Sequence, residues 1–150
     1  MTDTLRSLVF AAIALGLSLG WLSWRTTRTD PTAADRLVLE LRLAQFAALL
    51  LALIAGVYVG FVLTTDDVSG GGWDIAVSIG FLVVASIATI SEPRQALTML
   101  AVAYAAHAGI DLLHTIDTLP AEIGPRWYFT ACAIYGVLIG GLCYLPILRR

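Results

Sequence analysis

Leu43 to Thr65 reads LAQFAALLLALIAGVYVGFVLTT, twenty-three residues between Arg42 and Asp66 with no charge among them. As a helix this stretch is about 35 Å long, more than the roughly 30 Å hydrocarbon core of a bilayer requires. It is apolar on every face, so it predicts a membrane span rather than the half-buried helix of a soluble domain. The same test applies outward along the chain. Arg6 to Arg25 encloses eighteen uncharged residues, Asp74 to Glu92 seventeen, Arg94 to Asp111 sixteen and Arg126 to Arg149 twenty-two. Five transmembrane helices are therefore predicted, at about 7–24, 43–64, 73–91, 95–115 and 127–148, forming one all-α bundle and a single domain. The third and fourth flank Ser91-Glu92-Pro93-Arg94 and stand or fall together as a hairpin.

Composition agrees. The 150 residues are 59% hydrophobic and 13% charged, with a mean hydropathy of +0.85, which excludes an ordinary soluble domain. The longest predicted connection is about eighteen residues, so any chemistry must occur in or beside the bundle. Trp21-Leu22-Ser23-Trp24 lacks the small-x-small pattern of a cleavage site, so the first span reads as a retained helix. No basic cluster of the nucleic-acid-binding kind is present. The expected partners are the lipid bilayer and either further copies of the chain or a larger membrane complex.

Arginine sets the expected orientation. Arg25, Arg28, Arg36 and Arg42 lie between the first two spans, Arg94 lies between the third and fourth, and Arg149 and Arg150 follow the fifth. The other side holds Arg6 and Arg126. The positive-inside rule then puts the N-terminus outside and the C-terminus in the cytoplasm of a cell-membrane protein. Trp21, Trp24 and Tyr144 would mark the inner interface, and Trp73, Trp127 and Tyr128 the outer one. The outer connections would be acidic, through Asp66, Asp67, Asp74, Asp117 and Glu122, with no regular ligand spacing among them.

Asp30-Pro31 and Thr32-x2-Asp35 read as a helix start, giving one helix from about Pro31 to Leu63. Its first turns would overhang the bilayer, with Leu37, Leu41 and Ala44 as an apolar stripe and Arg36 paired to Glu40 beside it. We expect an interfacial overhang with arginines at the headgroups, rather than a docking surface. Asp66 to Gly72 reads as a flexible turn. It lacks the Lys-Ser/Thr and the preceding strand of a phosphate-binding loop. Gly16/Gly20, Gly56/Gly60 and Gly136/Gly140 each repeat at four residues, a spacing that lets helix backbones approach closely. No internal repeat supports an inverted-repeat transporter.

One polar constellation interrupts the apolar helices: Tyr104-x2-His107-x3-Asp111-x2-His114, which holds both histidines of the chain. At 100° per residue, His107, Asp111 and His114 fall within about 60° of arc. Titratable groups inside a membrane are costly and usually functional. One reading is a self-satisfied polar cluster, with Asp111 served by both histidines. Another is a divalent-metal site formed by His107, Asp111 and His114. The two histidines lie about 10 Å apart along the helix, so such a site needs help from another helix. The candidates are Asp74, Asp66, Asp67 and Glu122, with Tyr128, Cys132 and Tyr135 on the fifth span. A b-type haem cannot take both axial ligands from one face of one helix, so bis-histidine ligation within one chain is excluded, which leaves only a haem shared with a partner or across a dimer. An ion path would lack an inner half, where only Ser18, Ser86, Thr89, Thr98 and Gln45 are polar. Cys132 and Cys143 lie about 16 Å apart on one helix and read as small apolar residues, not a disulfide.

The segment from His107 to Cys132, read as H-x3-D-x2-H, a turn and then Pro125-Arg126-Trp127-Tyr128-x3-Cys132, resembles a pattern in small polytopic membrane proteins of prokaryotes to which no activity is assigned. The resemblance covers about a sixth of the chain. It implies that His107, Asp111 and His114 act as a unit. Those proteins often carry a further acid on the last helix, where this chain has Tyr135 and Gly136. Two function classes stay open: a non-catalytic membrane component, such as an accessory subunit or scaffold, and a metal-dependent membrane enzyme or ligand-binding protein.

Overall fold

The computed structural model describes residues 3–64, 71–116, 118–119 and 124–149. These form five helices: α1 Asp3–Arg28, α2 Ala34–Thr64, α3 Gly71–Ile90, α4 Pro93–Thr115 and α5 Arg126–Leu148. All five are long and apolar enough to cross a membrane. Each coincides with an expected span, and no strand occurs among the described residues. Asp66, Asp67, Asp117 and Glu122, considered above as possible ligands, lie outside the described residues, as does most of the glycine-rich turn.

The hairpin forms as its sequence implies. Pro93 opens α4, where its missing N–H costs nothing, and the Glu92 side chain accepts from the Gln95 N–H at 3.2 Å. The start of α2 differs from expectation. Asp30 spends its carboxylate on the Thr32 N–H and hydroxyl, at 2.8 and 2.7 Å. Those two donors hold its carboxyl below the usual range. The result is a separate turn, and α2 begins only at Ala34.

The direction expected of the Arg36–Glu40 pair is also corrected. Arg36 is 3% exposed and Glu40 is equally buried, so this pair turns into the bundle and not to the headgroups. Arg36 Nε donates to Glu40 at 2.7 Å. Its other nitrogens donate to the carbonyls of Thr29 at 3.0 Å, Pro146 at 2.7 Å and Arg149 at 3.3 Å. One guanidinium thus closes the carbonyl ends of α1 and α5, which carry partial negative charge. Arg94 adds a longer contact to Glu40 at 3.7 Å. Leu37 and Leu41 are exposed while Ala44 is buried, so the stripe read from the sequence is not a single outward face.

The core lies between α2, α4 and α5. Leu43, Ala44, Ala47, Ala48 and Leu51 of α2 meet Leu97, Leu100 and Tyr104 of α4, with Ile139 and Cys143 of α5 beside them. The Tyr104 hydroxyl donates to the Ala47 carbonyl at 2.8 Å. α4 and α5 approach most closely. A Cβ on Gly136 would stand 3.2 Å from the Tyr104 carbonyl, and one on Gly140 3.2 Å from the Ala101 carbonyl. Backbone rests on backbone there, as small-residue interfaces in lipid allow. α1 is held by specific polar contacts. Pro146 has no N–H, so the Leu142 carbonyl loses its helical partner. Ser23 of α1 fills the vacancy, donating to Leu142 O at 2.6 Å. Nearer the other end, the Tyr135 hydroxyl donates to the Ala12 carbonyl at 2.9 Å.

Candidate functional site

α4 presents its polar stripe inward. Tyr104, His107, Asp111 and His114 are all buried, His107 being the most exposed of them at 3%. The cause is local. Ala101, Ala103, Ala105 and Ala108 keep α4 slim, and Gly136 and Gly140 let α5 press against it. The side chains at Tyr104 plus three, seven and ten then project between α2 and α3.

The side chains of the stripe take different partners. His114 Nε2 lies 3.0 Å from Asp74 Oδ1 on α3. Asp111 takes a different partner, the hydroxyl of Tyr58 on α2, which donates to Oδ1. His107 Nε2 stands 3.7 Å from Asp111 Oδ2, inside ion-pair range but too far for a hydrogen bond. Among the described residues, His107 Nε2, Asp111 Oδ2 and Asp74 Oδ2 are the buried side-chain polar atoms without a hydrogen-bond partner. No three His, Cys, Asp or Glu side chains among the described residues converge at metal-binding distance. The expected trio is thus divided: His107 goes with Asp111, and His114 goes with Asp74.

Aromatic rings enclose the cluster. Phe129 of α5 stacks on His114 with ring centres 4.7 Å apart and planes at 17°. Phe81 of α3 and Tyr58 meet His107 edge-on, at 5.2 and 5.3 Å. Of the expected helpers, Asp74 reaches the cluster directly. Tyr128 packs on Tyr58 at 6.2 Å and on Phe61 at 4.9 Å. Cys132 is half-buried beside that aromatic group. Tyr135 leaves for α1, as described above. Apolar clefts occur among the described residues on the α1–α5 side, two of them along α5. The cleft bordered by α2 measures about 440 Å³ and is lined by Leu15, Leu50, Val57, Tyr128 and Cys132 among others. Neither cleft is lined by His107, Asp111, His114 or Asp74.

Tyr58 is the residue that sequence reading missed. A signal for it exists. Ala44, Ala48, Leu51, Ala55 and Tyr58 are spaced four, three, four and three apart, the seam of a packed helix. The last position of a small-residue seam is a phenol, which must then find an interior partner. Tyr58→Phe should therefore lower unfolding free energy by about 1–3 kcal/mol, because Asp111 loses its donor inside an apolar region. Denaturant unfolding in micelles measures this, and an unchanged midpoint would count against the contact.

Comparison with protein families, curated proteins and solved structures finds no match for this chain.

Proposed function

We propose that the protein is a non-catalytic component of an assembly in the cell membrane, with the Arg25–Arg42 end of the bundle in the cytoplasm. The arginine distribution supports that orientation. The observation that carries the functional reading is the enclosure of the polar stripe. Its carboxylates and imidazoles engage side chains of α2 and α3, and rings of α2, α3 and α5 close over them. Such a cluster joins helices and fixes their register, a use for which buried polar groups are well suited.

The glycines suggest where a partner helix would lie. Gly16 and Gly20 of α1 and Gly136 and Gly140 of α5 are covered by neighbouring helices, whereas a Cβ on Gly56 or Gly60 of α2 would meet nothing within 4 Å among the described residues. That face has the close-approach geometry of a helix–helix contact in lipid. The test is particle mass in lipid nanodiscs. Wild type is expected as an assembly heavier than one chain, of like or unlike subunits. Gly56→Leu/Gly60→Leu should reduce it to single chains without loss of fold. A wild-type monomer, or a variant that assembles as wild type does, overturns the reading. A ligand-binding role is the second reading, favoured by the unpartnered atoms of His107 and Asp111.

A further inference from the structure

Asp111 is flanked from two helices. The phenol of Tyr58 meets one of its oxygens, and the imidazole of His107 faces the other across 3.7 Å. Among the described residues His107 Nε2 and Asp111 Oδ2 have no hydrogen-bond partner, and their side chains are 4% and 0% exposed. Inside a membrane no bulk water completes such groups, so leaving both bare costs several kcal/mol in principle. Something small that accepts two lone pairs would remove that cost.

We propose that Tyr58, His107 and Asp111 form a binding site for one divalent first-row metal ion. The ligands are Tyr58 Oη, His107 Nε2 and Asp111 Oδ2, with a further position for water or an exogenous donor. The separation fits. With metal–ligand bonds of about 2.1 Å, two donors 3.7 Å apart subtend about 120° at the ion, within the tetrahedral-to-trigonal range of zinc-type sites. The charge also fits. A carboxylate, a phenolate and a neutral imidazole sum to −2, which a divalent ion cancels. A neutral complex is what a low-dielectric interior tolerates. The Tyr58 proton leaves as the ion binds. The donor set of one nitrogen and two oxygens suits borderline ions rather than soft ones. His114 and Asp74 lie outside the site because they already hold each other at 3.0 Å. The edge-on rings of Phe81 and Tyr58 fix the plane of His107. The site needs no partner subunit, so it goes beyond the assembly reading and stands without it.

The test uses the full chain in lipid nanodiscs, stripped with chelator and dialysed against Zn2+. Wild type should retain about one ion per chain and release protons on binding. His107→Ala, Asp111→Asn and Tyr58→Phe should each weaken retention at least about tenfold, while His114→Gln retains as wild type does. Loaded with Co2+, wild type should give the visible spectrum of a four-coordinate nitrogen–oxygen site. That measurement serves even if a variant fails to fold. No retained Zn2+ in wild type, wild-type retention by His107→Ala or Asp111→Asn, or a thiolate-to-cobalt charge-transfer band would each overturn the proposal. A monomeric wild type that loads metal would sink the assembly reading and leave this one standing.

Discussion

Arg36→Met is expected to destabilise the bundle by about 3–5 kcal/mol, the range for stripping one partner from a buried ion pair. Arg36 and Glu40 are both almost fully buried, and Arg94 reaches Glu40 only from 3.7 Å with a side chain 45% exposed. The loss therefore leaves a buried carboxylate with weak compensation. It also frees the carbonyls of Thr29, Pro146 and Arg149. Arg36→Lys should recover little, since one ammonium cannot match a planar fork spread over four acceptors. Arg36→Met/Glu40→Leu should recover the part due to the stranded charge and keep the part due to the carbonyls. Reversible unfolding in mixed micelles separates the two parts. A single variant within about 0.5 kcal/mol of wild type would remove the clamp from the account.

Gly140→Leu should be as damaging, by a different cause. A Cβ alone would sit 3.2 Å from the Ala101 carbonyl and 3.3 Å from the Tyr104 Cβ. The nearest obstacle is backbone, which cannot swing aside, so α4 and α5 must separate. Overpacking costs about 1–3 kcal/mol in ordinary cores, and lost van der Waals contact along the α4–α5 seam adds to it. Displacing α4 also moves Asp111 away from Tyr58, so the variant should lose any metal retention along with stability. Gly141→Leu is the control, because a Cβ there meets nothing within 4 Å among the described residues. Equal melting of the two variants would contradict the close α4–α5 approach.

The helices were legible because charge is scarce here and its gaps match bilayer thickness. The direction of side chains was less so. Arg36 and Glu40 read correctly as an i, i+4 pair, but their inward turn depends on carbonyls more than a hundred residues away. The inward stripe of α4 followed from its spacing and from the cost of polar groups in lipid. Its division into two pairs did not, because Tyr58 and Asp74 sit on other helices and periodicity within α4 carries no information about them. The rotation of α5 was likewise hidden. Tyr128, Cys132 and Tyr135 formed the conspicuous polar line, yet of these Tyr128 alone is buried, and the buried face runs on through Phe129, Ala133, Gly136 and Gly140. Glycine decides this, since only that face lets α5 come close enough to press Phe129 onto His114.

Pro146 gives the bundle an order of assembly. The carbonyl it strips of a helical partner is the one that Ser23 occupies, and Pro146's own carbonyl is one that Arg36 occupies. Both anchors of the first two helices are therefore manufactured in the last one. During synthesis α1 and the start of α2 emerge long before α5 exists, and until then Ser23 and Arg36 lack these acceptors. Ribosome-bound chains ending before α5 should leave α1 mobile against the other helices. Arrival of α5 then closes the ring, so the fifth helix acts as a latch.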